Sequence, residues 1–422
     1  MTESHPMDRR QFVAGAAAIA GAAALARVAG ADEDPNPEPI KIGLVGCGGR
    51  GTGAAENAMK AAKNIHLIAM GDLFPDRLAG SRAYLSKRKL DGYKVEDGMC
   101  FTGLDAYKKV LETDVDYVLF CTPPSFRPTH VAAAIDAGKH VFMEKPVAVD
   151  APGVRTILAA GEKAKAKNLG ILSGTQYRHH EKFIHTIDRI DQGAIGKVIA
   201  GRAYYNVGGA WHRGAKPAWT PMETQLRNWY YYCWLSGDFI VEQHIHTIDV
   251  CNWVMGGPPV SALAVGGRLG RTDPKFGNIY DHFCVDYEYP NGAHVMSMCR
   301  HFEKTAFHVG ADFDGSKGSA EPYKGIIEGE TSWKYGGKAT LGTSYVQEHR
   351  DFIESIRAGK PLNEAAFVAE STLTAIIGRE AAYTGQKIDF AKYKDSDLAL
   401  GPETIAMGPA DMRPVPIPGR NR

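Results

Sequence analysis

Three residues stand at positions where their types and spacing can move a proton beside a redox centre: Lys145, Glu242 and His246. Lys145 ends the run His140-Val141-Phe142-Met143-Glu144-Lys145-Pro146, an apolar strand signal closed by an acid, a lysine and a proline. An ammonium at the mouth of a parallel sheet is partly desolvated and suited to polarise a substrate hydroxyl. Glu242 and His246 lie in the stretch from Ser236 to Asp249. On one continuous helix, Glu242, His246 and Asp249 fall at i, i+4 and i+7 on one face, and Val241, Ile245 and Ile248 form an apolar stripe beside it. A helix of that kind buries the stripe and aims the polar set at a cleft. His246, with an ordinary pKa near 6.5, suits the exchange of a proton at neutral pH. Glu242 would orient the ring or hold a hydroxyl, and Asp249 would fix the other ring nitrogen. A metal held by Glu242, His244 and His246 is not expected, because histidines at i and i+2 of one helix do not converge.

The elements that must position these groups begin at residue 40. The β run Ile40 to Val45 leads directly into Gly46-Cys47-Gly48-Gly49-Arg50-Gly51 and a helical pattern from Thr52 to about Ala62. Strand, GxGxxG and helix in that order form the dinucleotide-binding context. Gly46 allows the tight turn, Gly48 lets the backbone approach a pyrophosphate, and Gly51 lets the helix pack on the strand. The helix N-terminus offers unpaired N–H groups to the phosphates. A second strand from Ile65 ends at Asp72, twenty-one residues past Gly51, where a carboxylate meets the adenosine ribose and favours NAD. Arg77 leaves NADP possible. After the strand Val115 to Cys121, Thr122-Pro123-Pro124 turns the chain outward at the carboxyl edge of the sheet, where Thr122 and Pro123 would line the nicotinamide side. His130 on the next helix is a further cofactor contact, or a packed histidine. The strand that follows delivers Glu144 and Lys145.

A GxGxxG turn, an acid ending the second strand, the TPP turn, the AGKHVFMEKP segment and an H-x-x-D on a helix together resemble the Gfo/Idh/MocA family of NAD(P)-dependent sugar and cyclitol oxidoreductases. The resemblance runs from about Lys41 to Phe390. It implies that Lys145 contacts both nicotinamide and substrate. The family pattern D-x-x-x-H-x-x-D puts His246 in the place of the catalytic histidine, with Glu242 replacing the aspartate.

The expected fold is α/β. A Rossmann dinucleotide-binding domain covers residues 38–176, and an α+β substrate and oligomerisation domain with a large open, mostly antiparallel sheet covers residues 177–390. Between Tyr204 and Trp234 there are nine Tyr or Trp residues, which can stack on sugar C–H faces or fill a core. Trp211 and Trp229, with Arg178 and Asp249, are the candidate substrate contacts. A helix is expected from Val346 to Ala358. Residues 391–422 form a C-terminal tail, which from Gly401 is rich in Pro and Gly, has no periodicity and reads as an arm or a disordered segment.

Residues 1–37 hold Arg9-Arg10 before a weakly hydrophobic Ala/Gly run and an acidic linker, the pattern of a twin-arginine export signal. Periplasmic export follows from it, or membrane tethering if the signal stays uncleaved. Forty-nine basic and 48 acidic side chains leave a net charge of +1, which supplies no field for nucleic acid or an anionic membrane. The seven cysteines have no CxxC or zinc-like spacing, so neither a disulfide framework nor a metal is implied.

The reaction expected is hydride transfer between NAD and a secondary hydroxyl of a sugar, glycoside or cyclitol. Export sharpens this, because free NAD is not expected outside the cytoplasmic membrane and the nucleotide must then be retained. The alternatives are a redox-neutral glycosidase that oxidises, eliminates, hydrates and re-reduces, and a sugar-binding protein without turnover. A small polyol substrate and a homo-oligomer, dimer or tetramer, are the expected partners.

Overall fold

The strand signals of the first half become one parallel sheet. β1 (Ile40–Val45), β2 (Ile65–Asp72), β3 (Cys100–Thr102), β4 (Tyr117–Phe120), β5 (His140–Met143) and β6 (Ile171–Ser173) pair in the order β3-β2-β1-β4-β5-β6. Every pair is parallel. The computed structural model describes residues 37–420, so Arg9-Arg10 and the apolar run behind them lie outside the described residues.

Both faces of this sheet are covered, which is why its strands read as apolar runs. Leu44 points to a core shared with Ala54 and Ala58 of α1 (Gly49–Ala61) and with Leu78 and Leu85 of α2 (Pro75–Lys87). Its neighbour Val45 points to the opposite core, built with Val110 of α3 (Ala106–Leu111), Val131 and Ile135 of α4 (Arg127–Asp136) and Val154 and Ile157 of α5 (Ala151–Ala166). Each of the buried Val, Leu and Ile side chains contributes about 1.5–3 kcal/mol, and each alanine methyl less. Pro128 sits in the first turn of α4 and Gly138, at φ +73°, just past its end. The side chain of Asp150 caps α5 by accepting from the Gly153 amide at 3.0 Å.

The second half supplies α6 (Glu181–Asp191), β7 (Val198–Val207), α7 (Pro221–Arg227), α8 (Cys233–Ser236), α9 (Phe239–Glu242) and α10 (Ile245–Met255). β8 (Ser261–Gly267), β9 (His282–Glu288), β10 (His294–His301), β11 (His308–Gly315), β12 (Gly318–Glu321), β13 (Ile326–Gly329) and β14 (Trp333–Lys334) come next. α11 (Leu341–Arg357), α12 (Ala365–Thr384), β15 (Ile388–Asp389) and α13 (Phe390–Lys394) complete the set. The nine strands run β14-β13-β12-β11-β7-β10-β9-β8-β15 and are antiparallel except where β7 lies parallel to β10. β10 shows the two-residue period of a half-covered sheet: Val295, Ser297 and Cys299 are buried, and His294, Met296 and Met298 are exposed. The buried face packs on α12, whose Leu373, Ile376 and Ile377 are enclosed, while Leu263, Val265, Met296 and Met298 stand exposed on the other face.

Three differences from the sequence reading matter. Ser236 to Asp249 is not one helix. The chain leaves α9 after Glu242 and resumes helix only at Ile245. Side chains of the intervening residues are held by the sheet: Gln243 accepts from the Tyr205 hydroxyl at 3.0 Å, and His244 Nε2 bonds Ser297 Oγ at 2.6 Å. α11 begins at Leu341, five residues before the expected start, because Thr340 and Thr343 form a capping box. It returns to the first sheet, where Phe352 and Ile353 join the core around Leu44 and His349 Nδ1 bonds the Tyr117 hydroxyl at 2.9 Å. Finally, the described part of the tail is laid over the body rather than projecting as an arm. Its carbonyls accept from Met222 N (at Gly408, 3.1 Å), Gln225 Nε2 (at Asp411, 3.1 Å) and the Tyr280 hydroxyl (at Pro416, 2.9 Å).

Candidate active site

The glycine turn between β1 and α1 divides its glycines by task. Gly46 has φ +97°, and a Cβ there would stand 2.6 Å from the Cys121 carbonyl carbon. A Cβ on Gly51 would meet the Gly46 carbonyl oxygen at 1.9 Å, so side chains are excluded at both positions. Gly48 and Gly49 face open space, with nothing within 4 Å of a built Cβ. That bare concavity at the N-terminus of α1 fits a dinucleotide diphosphate.

Asp72 closes this end of the cleft. Its Oδ2 accepts from the Cys47 amide at 2.6 Å and its Oδ1 from the Phe74 amide at 2.8 Å, which ties the glycine turn to the end of β2. Burial pushes the carboxyl up against those two donors and the nearby Arg77. Each carboxylate oxygen keeps a lone pair for a ribose hydroxyl.

At the other end, β5 delivers Glu144 and Lys145, followed by a cis bond to Pro146. The break between α9 and α10 gives Lys145 its partner. In a continuous helix the Glu242 carbonyl would accept from the His246 amide; here that amide turns to Gln243 O at 3.4 Å. The freed carbonyl accepts from Lys145 Nζ at 2.6 Å, and Glu242 Oε1 lies 3.3 Å from the same nitrogen. Glu242 Oε2 is buried with no protein partner among the described residues. Burial raises the Glu242 carboxyl, and Lys145 and Arg127 oppose it. His246 is half-buried, edge-on to the Tyr177 ring at 5.6 Å. Burial first, then the cations Lys145 and Arg50, hold its imidazole well below the ordinary value. A neutral imidazole at neutral pH is a proton acceptor.

Arg50 joins the two ends. Its guanidinium donates to Glu144 and, at 3.2 Å, to Glu348 of α11, and lies 4.5 Å over the Tyr345 ring. Burial pushes the Glu348 carboxyl up to about 8, with Arg50 opposing. The sequence places Arg50 in the glycine turn and Glu348 within the helix expected from Val346 to Ala358. Nothing local in the sequence pairs them. Sequence spacing does not single out Tyr177, or Tyr205 within its aromatic stretch, because their approach is set by folding: burial raises both phenols, Tyr177 to about 12, and Tyr177 and Glu242 add to the rise at Tyr205.

Other expected contacts have different work. Asp249 does not reach His246; both its oxygens accept from Arg178, at 2.9 and 3.0 Å, and one also accepts from the Ser371 hydroxyl at 2.8 Å. The gap at Gln243-His244 precedes both residues, which share α10; it is Arg178, stacked 3.8 Å from the Phe367 ring centroid, that claims Asp249 in a buried pair. Neither is therefore free as a substrate contact. His130 is packed against Tyr107, ring centroids 4.2 Å apart, and its Nδ1 lies 3.3 Å from Thr122 Oγ1. Burial lowers it to about 3, so it braces the Thr122-Pro123-Pro124 turn as a neutral ring. Pro124 is buried and opens a short 3-10 turn, while Thr122 and Pro123 keep partial exposure. Trp211 and Trp229 pack edge to face at 5.8 Å in the segment that follows β7. His244, bonded to Ser297, turns away from His246, and no cluster able to hold a metal occurs among the described residues.

A glycine turn with an acid at one end of a cleft and a lysine, acid and neutral histidine at the other define a dinucleotide-dependent oxidoreductase. The GFO/IDH/MocA oxidoreductase family, with its NAD-binding Rossmann fold, matches residues 40–170, and the GFO/IDH/MocA C-terminal domain matches residues 183–321. The chain belongs to this family. It is 24% identical over 334 residues to myo-inositol 2-dehydrogenase of Thermotoga maritima, covering 76% of this chain and 90% of that protein. It is 29% identical over 167 residues to glycosyl hydrolase family 109 protein 1 of Bacteroides fragilis, covering 39% of this chain and 34% of that protein. In fold it is like the crystal structure of scyllo-inositol dehydrogenase from Lactobacillus casei with NAD(H) and scyllo-inositol, at TM-score 0.64 and 21% identity over 84% of this chain and all of that one.

Proposed function

We propose that the protein is an NAD-dependent dehydrogenase acting on a secondary hydroxyl of a cyclitol, sugar or glycoside. One observation carries the reading: Lys145 Nζ sits on Glu242 while the uncharged His246 ring lacks a hydrogen-bonding protein partner among the described residues. NAD held by the glycine turn and Asp72 would supply the acceptor for the hydride of the carbinol carbon. His246 accepts the hydroxyl proton, Lys145 polarises the oxygen, and Glu242 holds Lys145 and offers Oε2 to a neighbouring hydroxyl. The similarity to myo-inositol 2-dehydrogenase supports a polyol of this size.

Finer parts belong to the same reading. Arg9-Arg10 and the Ala/Gly run direct export by the twin-arginine route to the periplasm, the nucleotide stays with the protein through turnover, and the exposed sheet face with Leu263, Val265, Met296 and Met298 joins copies into a homo-oligomer. A second reading, redox-neutral glycosidase, is favoured by the partial match to the glycosyl hydrolase family 109 protein. The test is to purify the protein without added cofactor, follow absorbance near ~340 nm, and mix it with cyclitols, sugars and glycosides. A band that rises with a polyol supports the dehydrogenase. Glycoside cleavage without net reduction supports the second reading, and no response with bound or added NAD sinks both.

A further inference from the structure

The segment from residue 208 to residue 229 leaves the second sheet at β7 and carries α7, whose last residue, Arg227, meets the turn that follows β2 of the first sheet. Its contact there is specific. The Arg227 guanidinium forks onto both oxygens of Asp76, at 3.1 and 2.9 Å, and lies 3.9 Å from the centroid of the Phe74 ring. Trp219 covers it from another side at 4.8 Å, and Glu223 accepts from its Nε at 2.8 Å. The Arg227 side chain keeps only 11% of its exposure, so this pair is more than a loose surface bridge.

The location gives the contact its meaning. Phe74 is the residue whose amide is bonded to Asp72, the carboxylate that marks the adenosine end of the site. Arg227 therefore grips side chains two and four residues past the ribose acid, Phe74 and Asp76. The segment is held stiff behind this grip: Asn228 accepts from the Arg213 amide at 2.8 Å and donates to Gly214 O at 2.8 Å, and Gln225 accepts from Trp234 Nε1 at 2.7 Å. The tail carbonyls of Gly408 and Asp411 hold Met222 and Gln225 of α7.

We infer that Arg227 and Asp76 form a latch that retains the nucleotide, a positioning pair that must part before the adenosine end can leave. This rests on the NAD-dependent reading above. Because the strap and the ribose acid belong to one chain, retention needs no second subunit.

The test is stopped-flow release of bound NADH, read by its fluorescence, from the full-length wild type, Arg227→Gln, Asp76→Asn and the double variant, with melting temperature recorded for each. Asp76 is 60% exposed, so Asp76→Asn tests the latch even if Arg227→Gln folds poorly. Each single variant should release NADH roughly fivefold faster or more, and the double variant no faster than the faster single, as for one shared contact. Arg202→Gln, which breaks a 2.9 Å pair with Asp314 on the outer sheet, should release at the wild-type rate. Unchanged release from Arg227→Gln and Asp76→Asn would overturn the latch while leaving the dehydrogenase reading intact. A wild type that binds no NADH at all overturns the cofactor reading and the latch with it.

Discussion

The Lys145 ammonium lies 2.6 Å from the Glu242 backbone carbonyl, a carbonyl available only because the helix breaks after Glu242. The ammonium is thus positioned by main chain as well as by a carboxylate. Lys145→Met should lower kcat by about 10²–10⁴-fold while NADH titration shows binding retained. Glu242→Gln keeps the carbonyl and should cost less than Lys145→Met. A Lys145→Met enzyme that turns over normally would remove the lysine from the chemistry.

His246 is held neutral, so its protonation should not limit oxidation of the alcohol as pH falls through about 6.5. The kcat/KM profile between about pH 6 and 8 should show no acid limb from this group. His246→Gln should lose about 10²-fold or more in kcat. An acid limb near the ordinary imidazole value that disappears in His246→Gln would contradict the burial.

His179 is a stability group of the opposite sign. Burial opposes its charge, but hydrogen bonds to Asp351 at 2.6 Å and Glu364 at 3.2 Å win and raise it to about 10. A raised folded value means the folded state keeps a proton that the unfolded chain releases. The stabilisation is complete below about pH 6.5 and fades as pH climbs towards about 10. Denaturant unfolding of His179→Asn should show a loss of about 2–4 kcal/mol at pH 6, shrinking at pH 9.

The Arg178–Asp249 pair makes a separable claim. Asp249→Asn leaves a buried guanidinium under-neutralised and should cost about 3 kcal/mol of stability, with kcat changed less than threefold. A hundredfold drop in kcat with stability intact would mean that Asp249 acts on His246 after all.

In the glycine turn, Gly51→Ala drives a Cβ to 1.9 Å from Gly46 O, whereas Gly48→Ala meets nothing within 4 Å. Gly51→Ala should fold poorly. Gly48→Ala should melt within a few degrees of wild type but bind NADH at least tenfold more weakly, about 1.4 kcal/mol, by isothermal titration. Equal NADH affinity in the folded Gly48→Ala protein would place the diphosphate elsewhere.

The first sheet was legible because its signals are local: apolar runs, glycines at fixed offsets and an acid at a strand end each report on their own neighbourhood. Lys145 and His246 were legible for the same reason. What sequence spacing missed is set from a distance. The break after Glu242 accompanies ties to Tyr205 and Ser297, the latter 53 residues from its partner His244. Arg50 and Glu348 are 298 residues apart and meet because α11 returns to the first domain. A helical wheel joins Glu242 to His246 across the break, and although His246 and Asp249 do share the unbroken α10, the wheel has no view of Arg178, which arrives from 71 residues away and takes both oxygens of Asp249.

The tail has a consequence for the order of events during synthesis. The carbonyls of Gly408, Asp411 and Pro416, which hold α7 and Tyr280, lie C-terminal to every strand of both sheets, so synthesis from N- to C-terminus delivers the sheets first and these anchors afterwards. Until they arrive, the segment that carries Arg227 lacks the bonds that brace it, and its last supports come from chain made later than either sheet.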